Sequence, residues 1–594
     1  MNSTTPSSPP ERMPETPVEH ESGSRQAPRP GSAPARLDAR LGAGFASLAD
    51  RLDSWGTWRW FGLAFAVIVV GMLVMGRQWY FGTPLYEIGD NAANSLQMYR
   101  ATQLLEHLGN YSRFGFHHPG PAFFYVYAAG EVVFYNVLHL TPAPENAHLL
   151  AGALLQSAFL AAAIAVVSQY AAPRRGLFVT AALAVALVHF QLAGNPEFSI
   201  WPPDQLVVPF ACFVVVATAV ACGRLGLLPL LVLCGGFLVH GHVAQPLYVV
   251  PLAAVAVGLG ALRQSRDRAL TVRGLVGANL KPALLAAAIL AVFVAPLLGD
   301  AVQANSNFHQ ILTSLTQPRA AADAHPPHQI LEYVAAFFGY PMDVYRFDSH
   351  IQLGSFLRGH WAGFAVSLAA LVGLPLALLV AYRRRGGSTT AGNARFYVTS
   401  AGFITVAVVL TFVWVAIQKG GLYQFNTYFE YGLMFAAVLP ILVALYRLWP
   451  VRRLRIASGL AGILAIGLVV ATSVPMPTGD TPEGLELHDS VTTLLAARTG
   501  DAPVLLEFAT DYDWNRGAGV ALVLLRNHVA WYVEPKWGLE FGTDHVYKPG
   551  SSAIAPEVWT LTTPDAAHAG QIVLDPLVSI YPAPPSLSSY RPAP

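Results

Sequence analysis

Three residues whose types suit chemistry stand close together early in the chain. They are Asp90, His117 and His118, inside YEIGDNAANSLQMYRATQLLEHLGNYSRFGFHHPGPAFFYVY (Tyr86 to Tyr127). Asp90 follows Gly89 and precedes Leu96, Tyr99, Leu104, Leu105 and Leu108 at helical spacing. An aspartate there either caps the helix through its side-chain oxygen, or takes the proton from an acceptor hydroxyl as a new bond forms. His117 and His118 precede Pro119-Gly120-Pro121 and the aromatics Phe123, Phe124, Tyr125 and Tyr127. Proline suits the first turn of a helix, so the histidines either begin a helix in the headgroup layer or offer ring donors to an anion at its positive end.

Other candidates lie further along. NPEFSIWPPD runs from Asn195 to Asp204, and Asp204 after two prolines is a helix cap or a second carboxylate for sugar hydroxyls or a metal. HGHVAQ runs from His240 to Gln245. Alternate positions diverge on a helix, which disfavours a metal clamp of His240 with His242 and leaves hydrogen bonding to a phosphate or sugar. Arg346 (in PMDVYRFDSH) and Tyr423 (in KGGLYQFNTYFE) add a counter-charge for phosphate and an aromatic. No Walker-type loop, dinucleotide glycine signature or Gly-x-Ser-x-Gly is present, which disfavours a soluble nucleotide as the direct donor.

The elements that must position these residues are mostly apolar. Of 594 residues 54% are hydrophobic and 12% charged, about half the charged share of a soluble chain. Repeated apolar runs of about 20 residues define a polytopic α-helical membrane protein. Net charge of +1 excludes nucleic acid as an electrostatic partner. Cys212, Cys222 and Cys234 lie in apolar spans and read as small buried hydrophobes. Residues 1–58 read as a disordered cytoplasmic tail, followed by a first span at about 60–78. Later spans are expected near 148–170, 176–192, 205–222, 226–242, 246–262, 282–299, 359–382, 396–417, 428–447 and 456–474.

Pro121 to Leu140 is long enough to span but carries Glu131 in its middle. If it does not cross, sixteen of the lysines and arginines between residues 148 and 474 fall in inner loops. Four (Arg319, Arg346, Arg358 and Lys419) then fall in outer ones. Positive charge prefers the cytoplasmic side. The segment therefore reads as a half-embedded surface helix, giving about eleven transmembrane helices with the N-terminus inside and the C-terminus outside. Domains follow: a transmembrane domain over 59–474 whose outer loop 80–147 carries the site, and a small C-terminal extracytoplasmic α/β domain over 475–594. The latter shows β-like runs at Pro503–Phe508, Val529–Val533 and Gln571–Leu574, a helix at Asn515–Asn527, and a loose tail after Tyr581. All the polar clusters above then fall on the outer face, and such residues are rare at bilayer depth unless they line a functional cavity.

The arrangement resembles the GT-C superfamily of polyprenyl-phosphate-sugar-dependent glycosyltransferases, which includes protein O-mannosyltransferases and lipid A aminoarabinose transferases. The carrying residues are Asp90 soon after the first span, His118-Pro119-Gly120-Pro121-Ala122-Phe123-Phe124-Tyr125 on the surface helix, and Asp204 at the outer end of a later span. HHPGP with NPEFSIWPP and HGHVAQP is also similar to GT-C-like membrane proteins of bacteria. This chain has Asp90-Asn91 where the family often has Asp-Glu, and Pro-Gly-Pro in place of Pro-Pro-Leu.

The resemblance implies a multi-pass inner-membrane glycosyltransferase. It would move a sugar from a polyprenyl-phosphate donor to an extracytoplasmic glycan, lipid or protein acceptor, with inversion and Asp90 as general base. His117, His118, Asn195, Asp204, His240, His242, Gln245, Arg346 and Tyr423 would contact donor or acceptor. A divalent cation is left open as cofactor. The alternatives are a transporter or flippase of lipid-linked glycans and a non-catalytic envelope assembly protein. A transporter should carry polar residues at mid-span, whereas here polarity gathers at the outer ends.

Overall fold

In the computed structural model the described residues are 54–172, 175–303, 306–318, 324–338, 391–448, 481–550, 554–562, 572–575 and 578–583, with scattered positions between 365 and 380 and at 467. Seven described helices are long and apolar enough to cross a membrane. In chain order the membrane helices are α1 (Thr57–Met75), α4 (Pro144–Ser168), α5 (Arg175–Leu192), α6 (Val207–Ala221, extended by a turn at Pro202–Gln205), α7 (Leu228–Gly241), α8 (Gln245–Arg268), α9 (Val272–Ala301), α11 (Ala391–Ile417) and α12 (Glu430–Leu448). Between them lie α2 (Gly89–Thr102), α3 (Ala122–Gly130) and α10 (Asn307–Thr316). Helices stand at nine of the expected spans, seven of them long and apolar enough to cross and α7 and α12 shorter apolar helices; the spans expected at 359–382 and 456–474 fall largely outside the described residues. At the centre, α6 is apolar all round and buried along its whole length, packed by α4, α7, α8 and α12. A helix without a polar face must be enclosed.

The region between α1 and α4 stays on one side. Asn146, in the first turn of α4, donates its amide to the carbonyls of Trp79 and Thr83 just past α1, at 2.6 and 2.8 Å, and accepts from the Leu85 amide at 3.1 Å. The exit of α1 and the entry of α4 are thus tied together, so everything from residue 76 to 143 leaves and returns on the same side. α3 widens into a π-type turn at Glu131–Val137 and packs on α4 and α7. Its Val132, Val133, Val137 and Leu138 are exposed, as suits a helix facing lipid. The basic residues gather at the opposite ends of the bundle: Arg175 donates to the Trp55 carbonyl, Arg263 to Ala221 and Thr399, and Arg395 pairs with Asp267.

The C-terminal lobe is α13 (Thr481–Ala497), β1 (Val504–Phe508), α14 (Trp514–Arg526), β2 (Trp531–Val533), α15 (Gly538–Phe541), β3 (Glu557–Thr562), β4 (Ile572–Asp575) and β5 (Val578–Ala583). Sheet order is β2-β1-β3-β5-β4. β1 runs parallel to β2 and β3, with Val504 opposite Trp531 and Glu557; β5 is antiparallel to β3 and β4. β3 and β5 add to the three runs expected from sequence, and β5 continues past Tyr581 to Ala583 where a loose tail was expected. Its backbone is satisfied by pairing with β3, which a Pro-rich composition does not advertise.

The lobe does not close its core alone. Ile88, Ala92, Ala93 and Leu96 of α2 and the residue before it are buried among Val504, Val520, Leu524, Trp531 and Trp559. α2, which carries Asp90, is thereby part of the lobe's core as well as of the loop after α1. The leucine spacing suggested a longer α2, but the helix stops at Thr102 and Leu104 turns left-handed at φ 60°.

Candidate functional site

A cavity of about 430 Å³ opens where α2, the loop 110–118, the Trp201–Pro203 turn, the 242–243 corner, the end of α11 and the C-terminal lobe meet. Asp90 lines it from the first turn of α2. Its carboxylate makes no helix-capping bond; the cap position is Ile88. Instead one oxygen accepts from the Tyr111 hydroxyl and the other from Trp201 Nε1–H at 3.0 Å. Burial, and then the Asp90 carboxylate, push the Tyr111 phenol far above its ordinary range, so it remains a donor. Gly89 makes this placement possible. It sits at φ +57°, and a Cβ there would lie 2.2 Å from the Asn515 side chain of α14.

The imidazoles form a second wall. His118 Nδ1 accepts the Val243 amide at 3.1 Å, and His242 Nδ1 accepts the Ala244 amide at 3.1 Å. A ring nitrogen that accepts carries no proton, so both rings are neutral with Nε2–H as donor. Their centroids are 4.4 Å apart and both line the cavity. Burial, then the neighbouring imidazoles, hold His118 well below the usual histidine range, in agreement with a neutral donor pair. Gly120 is required here as well: a Cβ would meet the His240 ring at 2.4 Å.

Two cations complete the lining. Arg113 stacks over Tyr423 at 3.7 Å and Phe425 at 4.9 Å, and Lys419 donates to the Ser314 carbonyl. Trp201 also meets Phe425 edge-on at 5.7 Å, which links the Asp90 wall to the Arg113 platform. The lobe contributes Trp514, edge-on to Tyr111 at 5.9 Å, and Glu540, whose carboxyl is raised by burial. One carboxylate with two fixed donors, two imidazole N–H groups and two cations around one space can bind an anion and accept a proton beside it.

Of the residues singled out from the sequence, Asp90, His118 and His242 line the cavity, and Tyr423 supports Arg113 from behind. The others are placed elsewhere. The His117 amide donates to Asn307 Oδ1 at 2.6 Å, and its ring donates from Nδ1 to the Gly109 carbonyl at 3.1 Å. Burial, followed by smaller contributions, lowers His117 to about 4, so it braces the loop as a neutral group. His240 is buried with Nε2 donating to the Phe293 carbonyl at 2.7 Å. Asn195 makes the left-handed turn after α5 at φ 56°, and Asp204 and Gln245 are buried at helix entries away from the lining. A helix end turns a polar residue inward to meet backbone as readily as ligand. Arg346 lies outside the described residues. Among these, no group of three or more His, Cys, Asp or Glu side chains is arranged to hold a metal ion.

Tyr111, Arg113, Trp201, Lys419, Trp514 and Glu540 were not singled out. Lys419 and Trp201 stood inside quoted motifs; Trp514 and Glu540 come from a region hundreds of residues away, so no spacing rule reaches them.

A further charged group ties α3 to the lobe. Arg526, closing α14, forms a bidentate pair with buried Glu131 at 2.5 and 2.9 Å, and His148 meets the same carboxylate at 2.8 Å. Burial alone would raise Glu131, but the hydrogen bonds from His148 and Arg526 outweigh it and hold the carboxyl at about 2. Beside it, burial and then the Glu145 charge push Glu87 up to about 7, against the Ser95 hydroxyl's donated bond of 2.5 Å.

No family model and no curated protein matches the chain. Among solved structures, ArnT from Cupriavidus metallidurans in the apo state is similar at 13% identity and TM-score 0.38, covering 88% of this chain and 97% of that one. The same protein bound to undecaprenyl phosphate matches at 13% identity and TM-score 0.38, covering 87% and 97%. The apo oligosaccharyltransferase of Archaeoglobus fulgidus matches at 12% identity and TM-score 0.32, covering 78% of this chain and 64% of that one.

Proposed function

We propose that the chain is a membrane glycosyltransferase that moves a sugar from a polyprenyl-phosphate carrier to an acceptor hydroxyl on the extracytoplasmic face. The observation that carries this reading is the shared cavity: Asp90 together with the Nε2–H donors of His118 and His242, with Arg113 and Lys419 in the same lining. The bundle ends bearing Arg175, Arg263 and Arg395 are cytoplasmic on the positive-inside preference. The cavity, the surface helix and the C-terminal lobe then face outward, where lipid-linked donors serve in place of nucleotide sugars.

The step is an in-line displacement. The acceptor oxygen forms its bond to the anomeric carbon from the face opposite the carrier phosphate, and inverts it. The bond from that carbon to the phosphate oxygen breaks, and the phosphate leaves with the electron pair. Asp90, fixed by Tyr111 and Trp201, takes the hydroxyl proton, while imidazole N–H groups and cations stabilise the departing phosphate. No covalent intermediate on the protein is needed.

The test is genetic and chemical. A deletion strain should accumulate a polyprenyl-phosphate sugar and lack one residue on an envelope glycan, lipid or protein. Asp90→Asn, present in the membrane at normal level, should fail to restore it. An unchanged glycan profile in the deletion strain, or full restoration by D90N, refutes the reading.

A further inference from the structure

The cavity has two chemically distinct sources of lining. The membrane part supplies Arg113, Lys419, His118 and His242, all suited to an anion. The C-terminal lobe supplies Trp514 and Glu540, an indole and a carboxylate, on the wall that also holds Tyr111 and Asp90. Glu540 lines the same cavity as Tyr111 and Asp90. Its Oε2 is buried without a hydrogen-bond partner. A buried carboxylate oxygen is strongly unfavourable unless a donor meets it, and such exceptions call for an explanation.

We infer that the wall contributed by the lobe is the acceptor subsite, and that Glu540 selects a neutral polyhydroxyl acceptor over an anionic one. The inference rests on the transferase reading. Sugar hydroxyls donate hydrogen bonds, and a pyranose face is apolar enough to lie on an indole; Glu540 and Trp514 offer those two contacts. A phosphate acceptor would instead face two carboxylates, Asp90 and Glu540, and like charges brought together repel. The division also separates the reacting groups: the departing phosphate goes to the imidazole and cation wall, the entering hydroxyl to the acid wall. The acceptor is therefore a glycan hydroxyl rather than a lipid phosphate.

The whole chain in nanodiscs tests this by saturation-transfer NMR with methyl glycosides of mannose, glucose, galactose and arabinose, and with glycerol 3-phosphate. Undecaprenyl phosphate binding, followed by tryptophan fluorescence, reports separately on the donor side and on folding. At least one neutral glycoside should receive saturation and glycerol 3-phosphate should not. Glu540→Ala should weaken the glycoside about tenfold, the loss of one charged hydrogen bond, while undecaprenyl phosphate binds as before. Wild-type protein that prefers glycerol 3-phosphate or ignores every glycoside overturns the inference, as does E540A that binds glycoside unchanged. Failure to bind undecaprenyl phosphate counts against the transferase reading instead, and Glu540-dependent glycoside binding would then still mark a glycan site.

Discussion

Asp90 spends both carboxylate oxygens on neighbours that cannot take its place: Tyr111 and Trp201 donate to it and hold it toward the cavity. Trp201→Phe removes one donor while keeping the ring. Transfer should fall about tenfold with donor affinity within twofold, since general-base contributions of about 10² or more depend on orientation. A change in affinity with no change in turnover would show that Trp201 serves the donor instead. The imidazoles make a different prediction. Their acceptor nitrogens are already bonded to backbone, so each has one N–H for a phosphate. His118→Ala should weaken undecaprenyl phosphate binding about tenfold, read by fluorescence titration, and His117→Ala should leave it nearly unchanged in protein that still folds. Equal losses from both would mean that the phosphate reaches the loop behind His118.

At the scale of elements, the turn closing α3 and the end of α14 are joined through Glu131, which is buried, and Arg526, whose side chain is 20% exposed. Breaking a buried pair leaves an unmatched charge, so Arg526→Met should destabilise the attachment of the lobe by about 3–5 kcal/mol. Hydrogen exchange along α14 measures it, and protection equal to wild type would count against the pairing. Glu87 gives this junction a pH dependence. Its folded value is raised from 4.5 to about 7, so the folded state holds the proton more tightly than the unfolded chain. Stability is therefore greatest below about 4.5 and is lost as pH rises through 7, by up to about 3 kcal/mol. Glu131, held down at about 2, works in the opposite sense: its stabilisation is full above about 4.5 and is lost as pH falls toward about 2. Of these two junction carboxyls only Glu87 titrates between pH 5 and 8, so its contribution to the melting temperature should fall over that range. Glu87→Gln should flatten the profile; an unaltered slope would assign it to another group.

For the whole molecule, the site exists only where membrane helices and lobe meet. Asp90 rides on a helix whose apolar face belongs to the lobe's core, and Trp514 and Glu540 complete the cavity from the other side. A chain ending at residue 475 should therefore lose undecaprenyl phosphate binding and run as aggregates in detergent, because Ile88, Ala92, Ala93 and Leu96 would be uncovered. A monodisperse truncated chain that binds normally would show that the lobe is dispensable for building the site.

Apolar length was enough to place helices at nine of the expected spans, because a bilayer imposes a minimum length on each helix. Motif reading reached Asp90, His118 and His242, which line the cavity. Which histidine faces the cavity was beyond it: His117 and His118 are neighbours in sequence, yet one bonds Gly109 and the other Val243. The same holds for Asp204, whose helix-entry position suits capping and binding equally. Trp514 and Glu540 reach the cavity through the packing of the lobe on α2, and Arg113 through its stacking on Tyr423 and Phe425, since contacts between distant segments leave no periodicity in either one. Local pattern follows from each segment's own solvent, whereas a cavity is a property of surfaces brought together.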